Sequence, residues 1–136
     1  MNNLDFDYKK LISEAIAARQ LSYSPYSKFA VGAALLAKNG RIFRGCNIEN
    51  SAFSPTNCAE RTAFFTAISS GEREFTAIAI AGWAKDGQPD FAYPCGVCRQ
   101  VMAEFCNDDF VVITAKSEDD YKAITLSELL PFKYSF

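Results

Sequence analysis

Two short apolar runs constrain the fold of this chain more than any other feature. Thr76 to Gly82 and Phe110 to Ala115 carry small and aliphatic residues at successive positions, so each run is apolar on both faces. Strands of that kind lie centrally in a sheet covered on both sides. Residues 96–106 between them suit a helix, and a strand–helix–strand connection predicts parallel strands.

The upstream elements extend this sheet. Residues 29–37 form a run from Phe29 to Ala37, followed by Asn39-Gly40 and then Arg41 to Cys46. Two β-capable runs around Asn-Gly predict a hairpin whose two central turn positions both take positive φ. Residues 5–21 read as an amphipathic helix, with Leu11, Ile12, Ala15, Ile16 and Ala18 inward and Lys9, Lys10, Glu14 and Arg19 outward. Ser24-Pro25-Tyr26-Ser27 breaks it. A second helix is expected over 58–70, stopped by Gly71. Residues 121–125 suit a last strand, and Leu126 to Leu130 a short helix ended by Pro131. The sum is an α/β chain with helices packed on a mixed sheet. At 136 residues, with no linker, repeat or low-complexity segment, positions 1–136 are expected to form a single domain.

Composition then narrows the chemistry. The chain has no histidine, which removes Ser-His and Cys-His nucleophile pairs, imidazole-ligated zinc and histidine acid–base catalysis. The net charge of −2 provides no basic face for nucleic acid and no polybasic membrane patch. The polar, acidic start and the lack of a long apolar stretch predict a cytoplasmic protein with no export signal and no membrane partner. Five cysteines, an odd number, favour a metal site or free thiols over a disulfide framework.

Three of those cysteines form a pattern. Cys58 opens the second helix, and Cys95 and Cys98 open the third, one helical turn apart. Helix N-termini favour thiolate over thiol, and three thiolates suit zinc. A three-ligand site leaves a coordination position for water, as a catalytic zinc requires and a structural one does not. Cys106 is a poor fourth ligand, about 12 Å along its helix from Cys98 at 1.5 Å per residue. Spacing leaves Cys46 open as a ligand or a packing residue, with packing favoured. Glu60, two residues past a ligand, can border the metal and carry protons. Arg61 can aim its guanidinium at the sulfurs and offset their charge, and Gln100 is a weaker candidate for the same surroundings.

Cys58-Ala59-Glu60 with Pro94-Cys95-Gly96-Val97-Cys98 resembles the signature of the zinc nucleoside and nucleobase deaminases. Pro25-Tyr26-Ser27-Lys28-Phe29, Gly45-Cys46-Asn47-Ile48-Glu49-Asn50 and Cys98-Arg99-Gln100-Val101 narrow the resemblance to small homotetrameric cytidine deaminases. It covers the chain from about Leu11 to Pro131. The resemblance implies a three-layer α-β-α fold with a mixed five-stranded sheet. It implies one Zn²⁺ per subunit on Cys58, Cys95 and Cys98, with Glu60 as the catalytic proton carrier. The reaction implied is hydrolytic deamination of cytidine and deoxycytidine in pyrimidine salvage, releasing ammonia. Phe29 would pack at the pyrimidine and sugar, Asn47 and Glu49 would bind the ribose hydroxyl, and the Ala59 amide would hold the base carbonyl. Two positions depart from the family. Tyr93 stands where Ser is common before the Pro-Cys pair. The C-terminal register points to Tyr134 as the aromatic that covers a neighbouring subunit's pocket.

Other readings remain open on sequence alone. A related cytosine nucleoside such as blasticidin S would suit the same chemistry, although Asn47 with Glu49 favours an unmodified ribose. A zinc-stabilised binding module would need a fourth ligand and leave Glu60 idle. A Cys95/Cys98 redox pair would leave Cys58 unexplained.

Overall fold

The computed structural model describes residues 7–136. Its elements are α1 (Tyr8–Arg19), β1 (Phe29–Ala37), β2 (Ile42–Cys46), α2 (Ala59–Ser69) and β3 (Phe75–Ala84), then α3 (Gly96–Phe105), β4 (Val111–Ser117), β5 (Asp120–Thr125) and α4 (Leu126–Leu129). Asp7 caps α1 by accepting from the Lys9 amide at 2.9 Å. Positions 5 and 6 of the expected helix lie outside the described residues.

The strands form one mixed sheet in the order β2-β1-β3-β4-β5. Both helical crossovers join parallel strands, as expected. β3 and β4 pair directly through Ala77–Val111 to Ile80–Thr114. β2 and β3 run the same way because each is antiparallel to β1, which lies between them. β5 closes the other edge, antiparallel to β4.

Strand alternation divides the core into two layers of different character. Ala34, Leu36, Ala77, Ala79, Ala81, Ile113 and Ala115 face α1, which supplies Leu11, Ile12 and Ala15. Ala33, Leu35, Ile78, Ile80 and Val112 point the other way, against Ala63, Phe64 and Ala67 of α2, Met102 of α3 and Leu126 of α4. The architecture is therefore α-β-α around a five-stranded sheet. Helices sit close where the sheet has no side chain. A Cβ on Gly45 of β2 would lie 2.4 Å from the Ala59 carbonyl and the Ala63 amide, so α2 rests directly on β2. That contact fixes the start of α2 relative to the sheet.

Two expectations are corrected. The β1–β2 turn has three residues, Lys38-Asn39-Gly40, not a two-residue Asn-Gly centre. The Ala37 amide bonds the Arg41 carbonyl (2.9 Å), the Gly40 amide bonds the Ala37 carbonyl (2.9 Å), and only Gly40 takes positive φ, at 93°. This is the three-residue hairpin in which the last turn residue is left-handed. Arg19, expected to face water, is buried. Its guanidinium donates to the carbonyls of Ala30 (3.0 Å), Trp83 (2.8 Å) and Ala84 (3.1 Å) and lies 4.2 Å from the Trp83 ring centroid. It satisfies carbonyls at the ends of β1 and β3 that water would otherwise have to reach.

Candidate metal centre and adjoining pocket

The parallel β3–α3–β4 unit and the start of α2 bring the three thiols together. Cys58 is the N-cap of α2 and Cys95 that of α3. The sulfurs of Cys58, Cys95 and Cys98 all lie within 4.8 Å of one another, with Cys58 and Cys95 3.8 Å apart. Tetrahedral thiolates at about 2.3 Å from zinc would stand about 3.8 Å apart. The donor set, soft, trigonal and compact, therefore fits zinc. Among the described residues no fourth cysteine or carboxylate joins this group. Cys46 faces the Leu21 carbonyl at 3.4 Å, in agreement with packing, and Cys106 ends α3.

The Cys98 thiol hydrogen-bonds Cys58 and, with the Arg61 guanidinium, lowers the Cys58 value to about 5. Cys98 is pushed up by the same bond and by burial. Arg61 donates through Nη2 to the Cys58 sulfur at 3.2 Å, while its buried Nε has no hydrogen-bond partner. Glu60 lies one residue before it and is only 5% exposed. Burial raises its carboxyl to about 7, and the Cys58 charge adds to the effect.

Cys58, Cys95 and Glu60 sit in the wall of a cavity of about 330 Å³. Its lining includes Phe29, Asn47, Glu49, Cys58, Ala59, Glu60, Tyr93 and Cys95. The volume suits a small ligand of nucleoside size. A larger concavity of about 700 Å³ lies away from Cys58, Cys95 and Cys98, between the β1–β2 turn, the start of β3 and the end of α3. It contains no comparable cluster. Ala59 opens α2, so its amide has no intrahelical acceptor.

The structure gives Asn47 and Glu49 more work than their sequence context suggests. The Asn47 amide accepts from Val31 N–H (2.9 Å) and the Ser22 hydroxyl, and donates to the Phe29 carbonyl (2.8 Å). Glu49 accepts from the amides of Tyr26 (2.9 Å) and Ser27 (3.1 Å) and from the Ser27 hydroxyl. Gln100 lies on the exposed side of α3, where it donates to the Tyr134 carbonyl at 3.2 Å. Tyr134 is 69% exposed and does not line the pocket of its own chain. The Tyr93 phenol meets the Lys122 ammonium at 3.2 Å.

Thr114 is a contributor that sequence reasoning did not single out. Its hydroxyl donates to the Ala92 carbonyl (2.6 Å) and accepts from the Ala92 amide (3.1 Å). That pins the loop three residues before Cys95 to β4. A polar residue inside the apolar run 110–115 was the available signal. Arg99 acts on the same loop, donating to the carbonyls of Pro94 (2.8 Å) and Leu129 (2.6 Å).

Comparison with known proteins agrees with this geometry. Residues 6–114 match the family model described as the cytidine and deoxycytidylate deaminase zinc-binding region. A cytidine deaminase of Sporosarcina psychrophila is 53% identical over 129 residues, covering 95% of this chain and 92% of the relative. A blasticidin-S deaminase of Bacillus cereus is 32% identical over 113 residues, covering 80% of this chain and 79% of the relative. The crystal structure of cytidine deaminase from Burkholderia pseudomallei superposes with a TM-score of 0.82 at 43% identity, covering 92% and 97% of the two chains.

Proposed function

The chain belongs to the cytidine and deoxycytidylate deaminase family, and on that premise we propose how its own residues carry out the reaction. The activity is zinc-dependent hydrolytic deamination: cytidine and water give uridine and ammonia. Blasticidin-type deamination is not favoured, since the relative named for it is 32% identical and the cytidine deaminase of Sporosarcina psychrophila 53%.

The observation that carries the reading is a cluster of three sulfurs, two of which, on Cys58 and Cys95, share the wall of one pocket with the buried carboxyl of Glu60. Cys58, Cys95 and Cys98 would hold the metal. Bound zinc supplies a Lewis acid that makes water nucleophilic near neutral pH. Glu60 takes the proton from that water and passes it to the ring nitrogen next to C4, which makes C4 electrophilic. The water oxygen bonds to C4, and Glu60 then takes its second proton and delivers it to the departing amine as the C4–N bond breaks, so the proton count closes on uridine and ammonia. Its low exposure keeps these transfers away from bulk water. Arg61 offsets the excess negative charge of three thiolates. Phe29 packs against the base, the Ala59 amide binds its carbonyl, and Asn47 with Glu49 takes the sugar hydroxyl.

Residues 1–136 act as one domain in a homotetramer, in which Tyr134 reaches a neighbouring pocket. The exposed aromatics Phe132, Tyr134 and Phe136 support an assembly that covers them. No helix among the described residues is long and apolar enough to cross a membrane, and the proposed setting is cytoplasmic pyrimidine salvage, with deoxycytidine as a second substrate. Zinc-loaded protein incubated with cytidine is expected to release ammonia and uridine in equal amounts. Release of ammonia from blasticidin S but not from cytidine would overturn the substrate assignment.

A further inference from the structure

The turn before β1 is folded around the Glu49 carboxylate. One carboxylate oxygen accepts from the amides of Tyr26 and Ser27, and the other from the Ser27 hydroxyl. The Ser27 hydroxyl accepts in turn from the Phe29 amide at 3.0 Å. Lys28 between them is in the left-handed region, at φ 61°, with its amide on the Ser24 carbonyl at 3.0 Å. Consecutive amides beside a left-handed residue form a concavity suited to an anion, and here the anion is a side chain of the same chain.

Hydrogen-bond capacity gives this arrangement a consequence. A carboxylate offers about four lone-pair sites, and three of those of Glu49 are occupied by the turn. One remains on the oxygen that Ser27 Oγ already touches. The Ser27 proton is itself committed to Glu49, while the Ser27 oxygen accepts from the Phe29 amide. Ser27, Phe29 and Glu49 all line the 330 Å³ pocket. The Ser27 bond is also the main reason that the Glu49 carboxyl is held below its ordinary range.

We propose that Ser27 is a positioning residue for sugar recognition: its hydroxyl fixes the rotation of the Glu49 carboxylate so that the one spare lone pair faces the pocket and accepts a ribose hydroxyl. The inference rests on the proposed contact between Glu49 and the sugar. Ser27 orients and does not itself bind the sugar, so its loss affects only substrates that carry a hydroxyl for Glu49 to accept.

The test compares kcat/KM for cytidine with kcat/KM for 2′,3′-dideoxycytidine, which lacks both ring hydroxyls, on zinc-loaded protein. The ratio of the two is expected to fall roughly tenfold in Ser27→Ala, equivalent to about 1.4 kcal/mol, and to recover in Ser27→Thr, which keeps the hydroxyl. Equal losses on both substrates leave the ratio unchanged and overturn the proposal, since that is what loosening of the turn alone would do. Glu49→Ala separates the two claims. A ratio preserved in Glu49→Ala contradicts the sugar contact itself, whereas a ratio lost there but retained in Ser27→Ala contradicts only the role of Ser27.

Discussion

Arg61 and Thr114 act on the metal centre from opposite directions, one by charge and one by position. Arg61 places a guanidinium nitrogen 3.2 Å from the Cys58 sulfur. Arg61→Ala is expected to lower zinc affinity roughly tenfold to a hundredfold, the usual size for a partner of a metal ligand. Competition against a colorimetric chelator measures this, and unchanged affinity would contradict the charge-balancing role. Thr114→Val keeps the shape but removes both bonds to Ala92. It is expected to cost about 1–3 kcal/mol in denaturant unfolding, because the partly buried Ala92 backbone groups lose their partner. At this scale the sequence was most legible where residue type and spacing alone define chemistry. Cys58, Cys95 and Cys98 needed only two helix starts to meet. Ser27, Thr114 and Arg19 were not legible in their roles, because their partners include backbone groups or side chains that only the folded chain brings to them. Gln100 shows the same limit: its amide donates to the Tyr134 carbonyl of the tail, a partner that no spacing in the sequence indicates.

Elements are held in place by close approaches and by a few charge pairs. Gly45 lets α2 lie on β2, and a Cβ there would meet backbone at 2.4 Å. Gly45→Ala is expected to destabilise the fold by about 1–3 kcal/mol, as overpacking does, and to reduce zinc binding by shifting Cys58. Unchanged thermal stability would contradict this. Glu14 of α1 bonds Arg44 of β2 at 2.6 Å and Lys10 at 3.1 Å. The Arg44 bond, then the Lys10 bond, depresses its carboxyl below the ordinary 4.5. A depressed folded value stabilises the protein above pH 4.5, and that contribution disappears as the pH falls through the lower native value. Glu14→Gln is therefore expected to flatten the stability–pH curve on the acid side of 4.5, and an unaltered curve would exclude the pair as a contributor. The element order was readable from hydrophobic pattern and breakers. The hairpin turn was readable in place but not in length, because the Ala37–Arg41 backbone pair sets it and no side chain signals it.

The whole molecule combines a core independent of the metal with a site that depends on it. Both apolar layers are built from strand and helix side chains, and the thiols lie at the helix starts. Chelation is expected to abolish turnover while far-UV circular dichroism at room temperature is retained; loss of secondary structure on chelation would contradict a catalytic site and favour a structural one. Sedimentation equilibrium is expected to give the mass of four chains, whereas a monomer would remove the proposed role of Tyr134. The most direct test of the central claim follows the near-UV absorbance of cytidine with zinc-loaded protein and with zinc-loaded Glu60→Gln, zinc content being measured in both. Loss of the cytosine band is expected in the wild type, with the variant slower by at least about a hundredfold at equal zinc content. Equal rates in the two proteins would contradict Glu60 as the proton carrier.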